Sequence, residues 1–355
     1  MIGWLCSLSI LFNFGCGNIT STPDLLDLNF NGDIPLVATP SSVSIQTAAT
    51  QQFIITGGSK PYTVQLSSGA GTARIEQNVC TFTAPDLAGT TILVISDSKN
   101  KQLLITAQIK TLQKQPNELP GLVLWLKADS ITATNGASVT SWPDTSGANR
   151  NFNSGTGATY ITAAINNLNA LSFNGSSQYF ERAYDAALNT STVTAFVLHS
   201  PAAIGISTSF LSLRDETGGN NRGYWMSVVT VSTINVIRAV FGDGSAGWRF
   251  QDSDVVLTLN SWYLSDMTIS ANSVSSYVNA VLQNKTVTPN AYNTVLGGTP
   301  MRVGAGGGGA LGVTLGNYYS GKVSEIVLFN RAISDSEAEG IRCYFKNRYA
   351  LNFDC

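Results

Sequence analysis

Histidine is almost missing from this 355-residue chain: His199 is the only one. A single imidazole removes most of the usual repertoire of zinc sites, catalytic triads and general-base chemistry. It also sits in the apolar run Ala195-Phe196-Val197-Leu198, where it reads as a strand-end residue and not as a catalyst. Charge is scarce too. Charged residues make up 12% of the chain, against about 25% in an average soluble protein. With 20 basic and 22 acidic side chains the net charge is -2, which leaves no electrostatic footprint for nucleic acid or an anionic membrane surface. The N-terminal apolar stretch, residues 2–14, falls short of the roughly 20 residues a membrane-spanning helix needs.

Gly, Ser, Thr and Asn fill the polar positions in place of charge, a composition that suits strands and turns over helices. The length suits two domains, of roughly 100 and roughly 200 residues. The short apolar stretch ends at Gly15-Cys16 and is followed by a polar run from Gly17 to Pro23. This pattern resembles a lipoprotein signal (1–16), with Cys16 acylated and residues 17–38 serving as a polar tether. No Lys or Arg precedes the apolar core, and Asn13 stands where the usual lipobox has leucine. Such a relaxed lipobox resembles that of spirochaete lipoproteins. The resemblance implies an exported outer-membrane lipoprotein, facing the cell surface or the periplasm, that meets the membrane only through its lipid.

Seven short β-rich runs follow, at 42–45, 52–56, 62–66, 73–76, 79–82, 91–96 and 102–109, separated by turn residues such as Gly57-Gly58 and Gly69-Ala70-Gly71. Seven runs are what a small sandwich requires. Pro40-Ser41-Ser42-Val43-Ser44-Ile45, Gln52-Phe53, Gly57-Gly58 and Pro61-Tyr62-Thr63-Val64 resemble bacterial Ig-like domains. The resemblance implies an Ig-like domain over 39–111, acting as a spacer. Cys80, between Val79 and Phe82, reads as a small core residue. The stretch 112–120, with Gln113-Lys114-Gln115-Pro116, has no apolar periodicity and marks a boundary.

Beyond it, three segments are informative: Leu122-Val123-Leu124-Trp125-Leu126-Lys127-Ala128-Asp129, Trp142-Pro143-Asp144-Thr145-Ser146-Gly147, and Leu171-Ser172-Phe173-Asn174-Gly175. Together with the closing run Lys322-Val323-Ser324-Glu325-Ile326-Val327-Leu328-Phe329-Asn330-Arg331, they resemble LamG-like, concanavalin-type jelly rolls. The implied fold is all-β: a small Ig-like sandwich, then an antiparallel jelly roll over 118–353 ending in a short helix. Ser334-Asp335-Ser336-Glu337 is a capping box that starts that helix, and Ala338, Ile341, Phe345 and Tyr349 share the face that packs on the sheet. Asp144 is expected to hydrogen-bond within its own turn. Gly304-Ala305-Gly306-Gly307-Gly308-Gly309 has no Lys-Ser/Thr after it, so it is no phosphate cradle and reads as an exposed, flexible hairpin tip.

Jelly-roll hydrolases carry paired carboxylates on one strand, yet the sequence has no Glu-x-Asp-x-x-Glu, and the glutamates of this part are scattered. The expectation is therefore a non-enzymatic surface binding protein for a glycan or a host or matrix protein. An assembly component of the envelope is the alternative, and a glycoside hydrolase comes third. Lectin-type relatives bind at rim loops, often through calcium held by oxygen ligands. The resemblance thus directs attention to Asp215, Asn220, Asn221, Tyr224, Trp225, Asp243 and Trp248 as ligand contacts, and to Asp243, Asp252 and Asp254 for Ca2+. The competing reading makes the Asn, Asp and Gly ordinary hairpin residues and the aromatics core. Cys343 and Cys355 make the natural disulfide pair, with a stabilisation of roughly 2 to 3 kcal/mol by loop closure.

Overall fold

The computed structural model describes residues 34–203, 208–270, 273–283 and 292–355. The apolar stretch, Cys6, Cys16 and most of the expected tether lie outside those residues. The first sandwich is built from β1 (Val37–Thr39), β2 (Ser42–Gln46), β3 (Thr50–Thr56), β4 (Thr63–Ser68), β5 (Thr72–Glu76), β6 (Val79–Thr83), β7 (Gly89–Ser96) and β8 (Gln102–Lys110). One sheet runs β1-β3-β6-β5 and the other β2-β8-β7-β4, with β2 parallel to β8. Strict alternation places Phe53, Phe82, Leu93, Ile95 and Ile105 between them at zero exposure, as a strand with one buried face requires. Cys80 joins this core, where burial pushes its thiol up to about 11, so it is packing and not a reactive group.

All seven expected runs reappear as β2 to β8 within two residues. The eighth strand corrects the tether boundary. Val37–Thr39 pairs with Ile54–Thr56, so the fold begins before residue 39. A three-residue strand with one inward side chain, Ala38, is too short for alternation to announce it.

The second sandwich uses β9 (Leu122–Lys127), β10 (Ser138–Trp142), β11 (Phe152–Ile165), β12 (Leu168–Asn174), β13 (Phe180–Arg182), β14 (Val193–Ala203) and β15 (Thr208–Asp215). It continues with β16 (Arg222–Val231), β17 (Ile234–Gly242), β18 (Trp248–Asp252), β19 (Tyr263–Ser270), β20 (Ser273–Val278), β21 (Val281–Leu282) and β22 (Met301–Val303). It closes with β23 (Gly306–Gly308), β24 (Thr314–Gly316), β25 (Ser320–Phe329) and the helix α1 (Asp335–Tyr349). One wall follows β12-β25-β14-β19-β20-β21, with β9 beside β25; the other follows β13-β22-β15-β16-β17-β18; the long β11 joins them. This is an antiparallel jelly-roll sandwich. Its core takes Val193, Ala195 and Val197 from β14, and Tyr224, Met226 and Val228 from β16.

The alternate residues of the first wall face the other way. Phe196, Leu198, Val327 and Phe329 pack against Ala338, Ile341, Phe345 and Tyr349 of α1, so the helical face expected from spacing is the face that is buried. Ser334 accepts from the Glu337 N–H and Glu337 accepts from the Ser334 N–H, completing the capping box. Two parallel bonds from Arg331 hold the Glu337 carboxyl at about 2. The stretch 112–120 is not a loose connector. Lys114 N–H donates to the Gly340 carbonyl of α1, and Asn347 donates to Gln113. A Cβ on Gly340 would stand 2.6 Å from the Lys114 side chain, so the glycine makes that contact possible.

Cys343, buried on α1, lies against Cys355, and both thiols are free. Burial, with the neighbouring thiol, raises the Cys343 pKa, which leaves little thiolate to start an exchange.

Candidate functional site

The second wall has an outer face, and sequence alternation decides what stands on it. In β16, Tyr224 and Met226 point to the core, so Trp225 points out; in β18, Trp248, Phe250 and Asp252 share one side. Register aligns these positions across strands: Ser212 with Trp225, Trp225 with Val240, Val240 with Phe250, Gly242 with Trp248, and Arg238 with Asp252. Trp225 and Trp248 meet edge to face with ring centres 4.3 Å apart. The Arg214 guanidinium carbon lies 4.4 Å from the Trp225 ring and 5.1 Å from Trp248, a cation–π arrangement. Arg238 covers Phe250 in the same way at 4.0 Å. Phe250 is nonetheless 47% exposed, whereas Trp225 is 7% exposed.

Carboxylates tie this ladder down. Glu216 accepts from Arg214, from Trp248 Nε1 at 3.2 Å and from the Gly309 N–H at 2.7 Å. Burial opposes its ionisation, but those donors together hold it below the usual carboxylate range. Arg238 bonds Asp252 through Nε and Nη2 at 2.5 and 2.8 Å, and Arg249 bonds Asp243 at 2.7 Å. The buried Trp225 Nε1–H has no acceptor, an idle donor of the kind that typically costs about 1–3 kcal/mol.

The glycine run is not an exposed tip. Residues 304–307 are buried, and β23 pairs with β24 in a hairpin laid against β15 and β22. Side chains there would collide: a Cβ on Gly307 would lie 2.5 Å from Arg302 Nη1, and one on Gly312 2.2 Å from the Arg214 carbonyl. Arg302 beneath it donates to the Gly312 carbonyl and to Glu181.

Of the residues singled out from sequence, Trp225 and Trp248 come together on this face. Tyr224 does not: it lies wholly in the core with its hydroxyl on the Leu188 carbonyl, because it is one residue out of phase with Trp225. Asp215 is also buried, accepting from Thr217, Leu296 and Leu311 N–H groups. Burial opposes its ionisation too, yet these bonds hold its pKa down, and it works as a clasp joining three loops. Asn221 is buried and donates to the Ala246 carbonyl; Asn220 is half-buried in the turn after β15. Arg214, Glu216, Arg238 and Phe250 were missed. Counting every second residue outward from Trp225 and Trp248 would have flagged Phe250; the arginine partners depend on cross-strand register, which the sequence does not print.

The calcium set does not assemble. Asp243 and Asp252 lie at opposite ends of the β17–β18 hairpin, separated by about 13 Å of strand, and each already holds an arginine. Asp254 is exposed, with its N–H on Gln283 Oε1. Among the described residues no three His, Cys, Asp or Glu side chains group in a way that could hold a metal.

Other polar residues are structural. Asp144 accepts from Trp125, Ser146 and Arg150 N–H groups and so holds its own turn to β9. His199 sits inside β14, not at its end, with no exposure. Its Nδ1 is 3.0 Å from the Tyr319 hydroxyl, its Nε2 is 2.9 Å from Ser265 Oγ, and its ring stacks on Phe210. Burial lowers its pKa to about 3, so it is neutral and enclosed. The glutamates stand apart: Glu181 on Arg302, Glu216 in the ladder, Glu325 beneath α1, Glu337 at its cap and Glu339 one turn into it.

Residues 174–339 match the family model of the Concanavalin A-like lectin/glucanases superfamily. No curated protein sequence matches the chain. Among solved structures, domain 4 of AbnA, a GH43 extracellular arabinanase from Geobacillus stearothermophilus in complex with arabinotriose, is 14% identical. That match covers 62% of this chain and 98% of that one at a TM-score of 0.41. The CBM40 of the Ruminococcus gnavus IT-sialidase bound to alpha2,3 sialyllactose is 12% identical over 49% of this chain and 95% of its own, at a TM-score of 0.38. The native heptameric SAP-like pentraxin of Limulus polyphemus is 13% identical over 47% and 78%, also at 0.38.

Proposed function

We propose that the second sandwich is a non-enzymatic carbohydrate-binding head, and that the outer face of β15 to β18 is where the sugar lies. The observation that carries this reading is the ladder of Trp225, Trp248 and Phe250 locked by Arg214 and Arg238. It is a rigid aromatic surface with a half-exposed ring at its edge, rimmed by oriented polar groups. Sugar sites need that combination of apolar platform and fixed donors and acceptors. The match of 174–339 to a lectin/glucanase superfamily supports the same class. Glutamates scattered over β13, the turn after β15, β25 and α1 favour binding over hydrolysis, since glycosidases need two facing carboxyls.

Phe250→Ala is expected to weaken glycan binding at least tenfold, about 1.4 kcal/mol, with little loss of stability because the ring is 47% exposed. Trp248→Ala should weaken it further. Glycan-array binding followed by calorimetry on the hits reads both, and unchanged affinity in both variants would remove the ladder from the site.

The first sandwich acts in this reading as an Ig-like spacer, which its strand order, β1-β3-β6-β5 against β2-β8-β7-β4, supports. Cys16 carries the lipid that holds the chain to the envelope. Palmitate labelling in the expressing cell is expected to mark the protein and to vanish in Cys16→Ala; label retained in that variant contradicts the anchor.

A further inference from the structure

We infer that the ligand of the ladder face is an uncharged saccharide, an inference that rests on the binding role proposed above. The state of the arginines carries it. Two of them, Arg214 and Arg238, cover the ladder rings and each is committed, to Glu216 and to Asp252; Arg222 and Arg249, which alternate toward the other side of β16 and β18, are likewise held, by Asp215 at 3.8 Å and by Asp243. On the ladder two cations meet two carboxylates, and their formal charges cancel.

An acidic sugar would need a guanidinium fork, and each fork near the ladder already faces a carboxylate. Taking Arg238 would strip Asp252, whose side chain is 7% exposed, of its bidentate partner. Taking Arg214 would strip Glu216, which the Gly309 N–H and Trp248 hold in place. Either exchange leaves a mostly buried carboxylate unpaired, a costly outcome. Arg214 and Arg238 are also stacked on rings, so turning toward a ligand would give up those contacts too. The whole chain, at net charge -2, adds no long-range attraction for anions.

A neutral sugar avoids these costs. Its hydroxyls donate to carboxylate oxygens and accept from guanidinium N–H groups without breaking the pairs. Its C–H face lies on the part of Phe250 that Arg238 leaves uncovered.

The test uses the full chain on an array that pairs neutral oligosaccharides with sialylated and uronic-acid-bearing glycans of the same cores. Wild type, Trp248→Ala and Phe250→Ala are read side by side, the last keeping the test open if the tryptophan variant does not fold. The expected result is ladder-dependent binding confined to neutral members, with affinity changing less than twofold as salt rises from about 50 to about 500 mM. Ladder-dependent binding of acidic members that collapses with salt would overturn the charge class and leave the site standing. Binding that neither variant alters, or none at all, overturns the site and the inference with it.

Discussion

Replacing Glu325 by alanine is expected to destabilise the second sandwich by about 3–5 kcal/mol, the range for removing one member of a buried, hydrogen-bonded charge cluster. Glu325 is wholly buried at the junction of β25, β9 and α1. It accepts from Trp125 Nε1 at 2.6 Å, Tyr344 at 2.8 Å and Tyr349 at 2.6 Å. The Arg348 guanidinium stands 3.3 Å away without a well-aligned hydrogen bond. Alanine would leave three buried donors unsatisfied and Arg348 with Asp129 as its one carboxylate partner. Glutamine keeps one acceptor oxygen but turns an amide donor toward the others, so its loss should be intermediate. Every tryptophan among the described residues lies in the second sandwich, so its unfolding in urea can be followed by tryptophan fluorescence apart from that of the first. A loss below about 1 kcal/mol for Glu325→Ala would mean that the helix is held by its apolar face alone.

The same helix is pinned at a second point. Arg342 makes two bonds to Asp266 of β19, at 3.1 and 2.6 Å, and covers the Tyr277 ring at 3.6 Å. Burial pushes the pKa of Asp266 up while Arg342 opposes it, and burial pushes Glu325 up against its donors. Neither carboxylate faces the ladder: both sit under α1, on the far wall from β15–β18. Glu325 variants should therefore change stability and spare glycan affinity, while Phe250 and Trp248 variants should do mostly the reverse. That contrast separates the fold's anchors from its site by measurement.

The sequence made the fold legible where patterning was long and regular. Strands β2 to β8 alternate cleanly, and the capping box of α1 is local chemistry, so spacing alone located them. The three-residue β1 escaped because one buried alanine makes no pattern. The glycine run misled for a different reason. A segment without side chains looks like a solvent-facing tip, yet the same lack of side chains lets it lie flat on Arg302 and the Arg214 carbonyl. In the site, the two tryptophans were visible as residue types. Tyr224, next to Trp225, could be assigned inward only once the phase of β16 was known. Glu325 offered no signal of its own: a glutamate before Ile326-Val327-Leu328-Phe329 reads as a strand entrance, and its partners come from 200 residues upstream and from the helix downstream.

The single histidine makes one pH dependence cleanly assignable. In the folded chain His199 has its pKa lowered to about 3, from an ordinary value of 6.5. Below 6.5 the unfolded chain takes up a proton that the folded chain refuses, so stability falls as pH drops from 6.5 toward 3. At most the slope is about 1.4 kcal/mol per pH unit, and from pH 7 to pH 5 the loss should total about 2 kcal/mol. Carboxylates with lowered pKa values, such as Glu337 at about 2, also lose stability in acid, but only below the ordinary value of 4.5. Glu325 and Asp266 act with the opposite sign. Their folded pKa values are raised, so they favour the folded state as pH falls through those values. Subtracting His199→Gln from wild type cancels all of these carboxylate contributions. Glutamine can keep bonds to Tyr319 and Ser265 but does not titrate, and the slope is read instead of the absolute stability, so packing lost against Phe210 does not enter. The expected difference curve falls by about 2 kcal/mol between pH 7 and pH 5. A flat difference would mean that the imidazole takes its proton in the folded core as readily as in the unfolded chain, and that the enclosure seen between Phe210, Tyr319 and Ser265 opens in solution.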